Sequence, residues 1–431
     1  MSRGEALLNN AMRSVLRYVL YAALALVLTT LVAMVLIVKL VLAPSPGEWP
    51  ERVKWGPIAF DVGMPTVIRL ITVPWFAPRL DGLSLGTRLG DVKFAWNDAT
   101  EHLTLQCAPC AAVLPGAGPQ PVQVDRLTAT VKRQVTALEG SLQMAPSGST
   151  AAPIEGHWDG KLSQQGLELT AEVPDAPVAQ WYAVLAPTLP ELQRARITGT
   201  VGLRARLSLP SHAYVLQPRP DAFKVTGLDA RELLTQRGTC GPPSRLHGDS
   251  WVARAVVAAQ DPDFFQHGGL EPTALAALLT SPPAMDKAGN PKPERRTISE
   301  QAAALIAPTG APPLAQRMRE WLFAAELEST MDKPALLQAW LDNAPWGDSL
   351  CGVDPAARYY FKRSAAKLQA AQAVWLATLQ ADPAEALATW RRDGQPDPAR
   401  TKAVTERIGG VNHRQRDALR RSVDAARSPP P

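Results

Sequence analysis

The sequence lacks a surplus of charge of either sign: 45 lysines and arginines stand against 40 aspartates and glutamates, a formal net charge of +5 over 431 residues. Such a balance does not indicate the basic stripe that neutralises phosphate backbones, and nucleic acid is not expected as a partner. The composition of a disordered chain is missing too, because 46% of the residues are apolar, enough to bury a core in each of two or three domains. Cysteine is scarce, with only Cys107, Cys110, Cys240 and Cys351. An even number is compatible with disulfides in an oxidising compartment, and a Cys240–Cys351 bridge is one possibility that spacing does not decide. The Cys107-Ala-Pro-Cys110 spacing also admits a redox dithiol. A proline-rich loop surrounds it, where redox chemistry needs a helix start in a βαβ setting, so a structural or unpaired cysteine loop is favoured.

Long apolar runs are equally rare, and the one present lies near the N-terminus. Tyr18 to Val38 carries no charge, and the apolar run continues past Lys39 to Ala43. At the helical rise this is enough to cross about 30 Å of hydrocarbon. It is longer than a signal peptide core and is followed by Pro44 and Pro46, so an uncleaved anchor over 18–43 is expected. Arg3, Arg13 and Arg17 precede it, which places the tail 1–17 in the cytoplasm and the rest of the chain on the far side of the membrane.

Between residues 47 and 238 the dominant signal is alternation, as in Leu127, Ala129 and Val131 against Thr128, Thr130 and Lys132, and again from Ile197 to Leu207. Period-two runs broken by Gly and Pro predict antiparallel strands with one buried face, interrupted by a short helix from Pro177 to about Ala186. This region is weakly similar to the AsmA-like β-rich repeats of bacterial envelope proteins. It contains no catalytic cluster, and a spacer or interaction module is expected. From about Ser250 the texture turns helical, with Val252, Val256 and Val257, then the stretches 316–330, 335–343, 355–361 and 365–379. Pro282, Pro283, Pro291 and Pro293 mark a long loop between the first helices. The expected class is multidomain α+β: a transmembrane helix, a β-rich middle domain, a mainly α domain over 245–384, and a helical extension with a fraying tail over 385–431.

Residues 255–269 read AVVAAQDPDFFQHGG. Peptidoglycan glycosyltransferases of family 51 carry Glu-Asp-x-x-Phe-x-x-His-x-Gly after an apolar helix. Asp261, Phe264, His267 and Gly269 match in register, with Gln260 at the glutamate position. The family's Ser-Thr-Ile-Thr-Gln-Gln string corresponds to Arg296-Thr297-Ile298-Ser299-Glu300-Gln301, and its Arg-Lys-x-x-Glu helix to Gln316-Arg317-Met318-Arg319-Glu320. Lys333, Leu336, Leu337, Gln338, Trp340, Leu341 and Asn343 fall on the next family helix. Gly347, Gly352, Ala356, Ala357, Tyr360, Phe361 and Ser364 fall on the segment after that. The region from Arg245 to Ala384 thus resembles the peptidoglycan glycosyltransferases in five motifs in the correct order, and the resemblance implies a lysozyme-like fold. Ser364-Ala365-Ala366-Lys367 has the Ser-x-x-Lys spacing of a transpeptidase nucleophile, but no Lys-Thr-Gly follows. The similarity is therefore to the single-function transglycosylases.

The resemblance implies a reaction in which a sugar 4-hydroxyl of one lipid-linked disaccharide attacks the anomeric carbon of another while a lipid pyrophosphate departs. A carboxylate base contributes about 10²- to 10⁴-fold to such a step. The family gives that task to the glutamate replaced here by Gln260, and an amide can hold the hydroxyl but cannot take its proton. Glu320 is the retained second glutamate. By the same resemblance Asp261, Phe264, His267, Thr297, Ser299, Gln301, Arg317 and Arg319 are assigned to substrate, although Asp261 and His267 also read as groups that orient the loop. A pyrophosphate leaving group needs positive charge, for which the family's lysine is Ala304 here. Arg296, Arg317 and Arg319 could compensate, and a Mg or Mn ion could sit at the pyrophosphate.

Two more family glutamates are Gln338 and Gln372 in this chain. The expected protein is an inner-membrane, single-pass glycosyltransferase homologue with periplasmic domains. Its activity is expected to be lost or reduced, with a cleft that still meets lipid-linked precursor or glycan strands. Two alternatives stand beside it. One is an active enzyme with a relocated base among Glu300, Asp261 and Asp263, and the other is a non-catalytic scaffold that engages envelope partners.

Overall fold

A computed structural model of the protein describes residues 19–425 except 22, 31, 34–35, 37–38, 56–57, 88, 113–120, 147–151, 212, 237–239, 242, 272–275, 277–295, 348–349 and 381–382. Period-two alternation builds most of its first half. After a hairpin of β1 (Pro50–Trp55) and β2 (Ile58–Gly63) comes helix α1 (Met64–Ile71). There follow β3 (Ser84–Thr87), β4 (Gly90–Asn97), β5 (His102–Cys107), the small pair β6 (Cys110–Ala112) and β7 (Val122–Val124), β8 (Arg126–Gln134), β9 (Ala137–Ala145), β10 (Ile154–Leu162) and β11 (Leu167–Pro177). Helix α2 (Val178–Leu185) precedes the long strands β12 (Arg196–Leu209) and β13 (Ala213–Thr226). Nine of these strands form one antiparallel sheet in the order β13-β12-β11-β10-β9-β8-β5-β4-β3.

The register puts the apolar residues of every strand on one face, for example Leu105 opposite Ala129, Ala129 opposite Leu142, and Leu203 opposite both Val173 and Pro218. The other face carries the charges, as the alternation requires. Gly199 sits in a bulge of β12 at φ +99, where a Cβ would lie 2.6 Å from the carbonyl oxygen of Ala222, so glycine is needed there.

Residues with three-and-four spacing form the second half. They are α3 (Ala230–Thr235), α4 (Trp251–Gln260), α5 (Ile298–Ile306), α6 (Pro313–Thr330), α7 (Lys333–Asn343), α8 (Val353–Phe361), α9 (Ala370–Gln380), α10 (Pro383–Asp393), α11 (Pro398–Arg407) and α12 (His413–Ala425). The stretch expected as one helix over 365–379 is divided: a 3-10 turn at Ala365–Lys367 gives way to extended backbone at Leu368 before α9 begins. The mixed class, a β-rich sheet beside a helical domain, agrees with the sequence reading. The proline-rich loop of 282–293 lies outside the described residues.

The expected membrane placement is corrected. Among the described residues no helix is long and apolar enough to cross a membrane. The tail 1–17 is outside the described residues. A single-pass, inner-membrane placement with periplasmic domains is therefore not upheld.

Helix α6 is the axis on which the halves meet. It is buried nearly all round, from Leu314 to Leu327, and packs against β13 as well as α5. Tyr182 of α2 donates its hydroxyl to the carbonyl oxygen of Met318 at 2.9 Å, and its complete burial drives the phenol pKa far above its ordinary value, so it stays a donor. One apolar core accordingly includes Val178, Leu189, Val225 and Leu228 from the sheet side together with the helices. Disulfides join Cys107 to Cys110, and Cys240 to Cys351 across the turn that follows α7.

Glu326 of α6 accepts hydrogen bonds from the backbone N–H groups of Gly227 (2.7 Å), Leu228 (2.9 Å) and Ala230 (3.2 Å), which caps α3 where it leaves the sheet. Glu326→Ala would strand those donors in a buried site. We expect a loss of about 2–4 kcal/mol in urea unfolding, since charged hydrogen bonds and unsatisfied buried donors carry costs of that order.

Candidate active site

The site is assembled where the C-terminus of α4, the N-terminus of α5 and the middle of α6 converge. Helix α5 starts with a capping box: Thr297 Oγ1 accepts the N–H of Glu300 at 3.1 Å, and Glu300 returns a carboxylate oxygen to the N–H of Thr297 at 2.9 Å. The Thr297 hydroxyl also donates to the carbonyl oxygen of Gly269 at 2.6 Å. Asp261, just past α4, is the other clamp. One of its oxygens accepts the N–H of Ile298 at 3.0 Å and the other meets His267 Nε2 at 2.8 Å. Because His267 Nδ1 accepts the N–H of Gly269, Nε2 carries the proton and donates to Asp261. Asp261 and His267 thus hold the loop to α5.

Glu300 is fully buried and committed on every side. Besides Thr297, it accepts the indole N–H of Trp321 at 2.8 Å and pairs with Arg317 Nη2 at 3.0 Å. Burial pushes its carboxyl above the ordinary value of 4.5, with Arg317, the Thr297 amide and Trp321 pulling the other way. Arg317, itself 3% exposed at the side chain, extends its second nitrogen to within 3.7 Å of Glu320. Glu320 is 5% exposed and pairs with Arg296 Nη1 at 3.0 Å, while Gln316 Nε2 lies 3.4 Å from its other oxygen. Arg296, with 31% of its side chain exposed, carries this chain of charges from the buried Glu300 out to solvent.

Among the described residues, buried Gln260 Nε2 has no hydrogen-bond partner, while Arg317 Nη1 and Glu320 Oε2 make only the ion-pair contacts just described. Groups left in that condition cost stability unless a ligand or water satisfies them. They belong to the residues at the two family glutamate positions and to the arginine beside the second.

The remaining assigned residues divide by what they touch. Ser299 donates to Glu328, which also pairs with Lys333 at 2.8 Å, and Lys333 lies 4.3 Å above the Phe264 ring. Gly269, at φ +88, lies against Glu328 so closely that a Cβ would overlap its side chain. The Gln301 amide donates to the carbonyl oxygen of Arg296 at 3.1 Å. Arg319 points elsewhere, to Glu191 of the sheet domain at 3.1 Å and to the carbonyl oxygen of Pro308 at 2.9 Å. Gln338 binds Ser244 and Asp342, each at 2.8 Å, and Gln372 accepts the N–H of Gln369 at 3.1 Å. The structure therefore gathers Asp261, Thr297, Arg317 and Glu320 with Arg296, and Gln260 precedes Asp261 at the end of α4. It directs Arg319, Gln338 and Gln372 to other contacts.

Trp321 and Glu191 escaped the sequence reading. Trp321 follows Glu320 directly but reads as a helix-core residue, and Glu191 sits in a 3-10 turn after Pro190 with no motif around it. For a cation, among the described residues no group of three His, Cys, Asp or Glu side chains gathers. Glu300 and Glu320 are both taken up by arginines, so the donor set does not fit a dedicated metal cage.

With this geometry in view, comparison with known families places the helical half. Residues 248–408 match the family model described as transglycosylase. The helical domain is thus similar to the transglycosylases. A biosynthetic peptidoglycan transglycosylase of Thiobacillus denitrificans is 29% identical over 170 residues, 38% of this chain and 71% of the relative. Those of Brucella suis (33% over 135 residues, 31% of this chain and 58% of the relative) and Ralstonia nicotianae (32% over 126 residues, 29% and 53%) are similar over shorter stretches. The chain thus spans little more than half the length of these last two, and the sheet domain lies outside the family match.

The raised carboxyl of Glu300 sets a pH dependence. A group that binds its proton more tightly folded than unfolded adds stability below its unfolded pKa, and this is lost as pH rises through the folded pKa. Relative to Glu300→Gln, the wild type should lose stability as pH climbs from about 4.5 and level off once the folded carboxyl has ionised. Urea midpoints of both proteins across that range measure it, and parallel curves would contradict the assignment.

Proposed function

We propose that this protein is a peptidoglycan transglycosylase homologue that engages lipid-linked disaccharide or glycan strands at the Arg296–Arg317–Glu320 cluster, with polymerisation lost or strongly reduced. The observation that carries this reading is the side chain at the first glutamate position. Gln260 presents a buried amide nitrogen with no hydrogen-bond partner among the described residues, and an amide can donate to a sugar oxygen but cannot accept the proton of an attacking hydroxyl.

The acidic neighbours do not replace it. Glu300 has no exposed surface and its oxygens already face Thr297, Trp321 and Arg317. Asp261 is held by Ile298 and His267, and Asp263 sits one turn further along the loop, where it accepts from Gln266. A base must reach the proton it removes, and neither Glu300 nor Asp261 can do so without dismantling the start of α5. The cluster supports the binding half of the proposal. Arg296, which reaches solvent and is held in place beside Glu320, offers a charged donor suited to phosphate oxygens, the group that a lipid-linked sugar presents at its anomeric end.

Glycan formation from lipid-linked disaccharide tests it. The wild type should give little polymer, and Gln260→Glu should raise the rate by about 10²- to 10⁴-fold, the usual worth of a positioned general base. Removing the second carboxylate as well, in Gln260→Glu with Glu320→Gln, should abolish the gain. Polymer from the wild type at a rate that Gln260→Glu leaves unchanged would overturn the reading.

A further inference from the structure

A cavity of about 110 Å³ lies between the sheet domain and α6. Its walls come from both sides: Trp181 of α2, Leu203 of β12, Leu216 and Phe223 of β13, and Met318 and Trp321 of α6. The polar side chains in those walls are already spent: the Trp181 indole donates to the carbonyl oxygen of Val201 at 3.0 Å, Tyr182 donates to Met318, Trp321 donates to Glu300, and Glu271, which also lines the cavity, has a partner of its own. The lining can therefore recognise hydrocarbon and little else. For scale, an apolar cavity of about 150 Å³ in a protein core stays dry and accepts benzene.

Position distinguishes this cavity from a packing gap. On α6, Arg317 and Glu320 face the candidate active site, while Met318 and Trp321, one residue further along in each case, line the cavity. The two sites are thus separated by the thickness of one helix face, and Trp321 belongs to both. Leu270 completes the connection: it lines the cavity directly after Gly269, whose carbonyl is bound by Thr297. At the other end, Leu203 and Leu216 continue into the apolar face of the sheet through Val173 and Ala205, their cross-strand neighbours.

We infer that this cavity takes one short segment, about an isoprene unit, of the hydrocarbon chain of the lipid-linked substrate whose pyrophosphate and sugar meet Arg296 on the neighbouring face. The assignment of the headgroup rests on the function proposed above, and the apolar site itself does not. Half of its wall comes from strands outside residues 248–408, so the sheet domain is part of the substrate site and not a spacer.

The full chain can be titrated with inorganic pyrophosphate and with geranyl and farnesyl pyrophosphate, following the fluorescence of Trp181 and Trp321 and the heat of binding. Farnesyl pyrophosphate should bind about tenfold more tightly than geranyl, which corresponds to burying only two further methylenes. Leu216→Trp, which fills the cavity from the edge strand, should erase that difference while leaving inorganic pyrophosphate binding unchanged. Val201→Phe serves the same purpose if the first variant misfolds. Arg296→Ala should weaken all three ligands by one common factor.

Chain-length dependence that survives both filling variants, or is absent from the wild type, overturns the inference. If inorganic pyrophosphate still binds through Arg296 in that case, the proposed function stands without it. The reverse result, farnesol bound in a Leu216→Trp-sensitive manner with no contribution from pyrophosphate, keeps the apolar site and removes the headgroup reading.

Discussion

Arg317 is the interaction on which the site depends. Its guanidinium is buried between Glu300 and Glu320, so the cap of one helix, the retained carboxylate and the indole of Trp321 all take their positions from it. Two carboxylates this deep without a counter-charge would repel each other and drive their own protonation. With Arg317 between them and Arg296 at the outer end, the cluster approaches neutrality while remaining directional. A buried ion pair of this kind adds little net stability over an apolar replacement, but removing one partner is costly, which makes it a device for fixing geometry.

The same helix couples that geometry to the sheet domain. Met318, Arg319 and Glu326 on α6 are each held by sheet-side residues, through Tyr182, Glu191 and the backbone of 227–230 respectively. Arg319 is instructive, because its motif position suggests a phosphate ligand while its guanidinium is engaged by a buried glutamate from another domain. A charge that serves to dock two domains cannot simultaneously grip substrate, Arg317 is spent between Glu300 and Glu320, and Arg296 is the exposed guanidinium of the cluster. The sheet is thereby fastened to the helix that carries Arg317 and Glu320 and contributes a wall beside it.

Gln260 and Glu300 together describe how the site differs from a general acid–base pair. One position has exchanged its carboxylate for an amide, and the acidic residue that is new to the neighbourhood is used for capping. Glu300 could look like a displaced base in the sequence, but its three donors show it to be a structural acceptor. Catalysis requires a group that is both basic and reachable, and burial has removed the second property.

How much of this was legible beforehand follows from the range of the interactions concerned. Alternation in Arg126–Gln134 and Arg196–Leu209 exposed the sheet, since side-chain direction in a strand is a local property of period two. The run from Gln260 to Gly269 and the segment from Gln316 to Glu320 carried the resemblance to the transglycosylases, because such motifs are contiguous in the chain and need no tertiary contact to be read. A long apolar N-terminal run was also legible, yet the membrane placement drawn from it was not upheld among the described residues. Local sequence by itself determined the elements, the likeness of the helical domain to the transglycosylases and the amide at residue 260. Only tertiary structure decided that Arg319 faces Glu191, that Glu300 is spent on Arg317 and Trp321, and that a hydrocarbon-lined cavity backs onto the cleft. Each of those depends on side chains from segments far apart in the chain, whose meeting is set by packing and has no signature in the spacing of either segment.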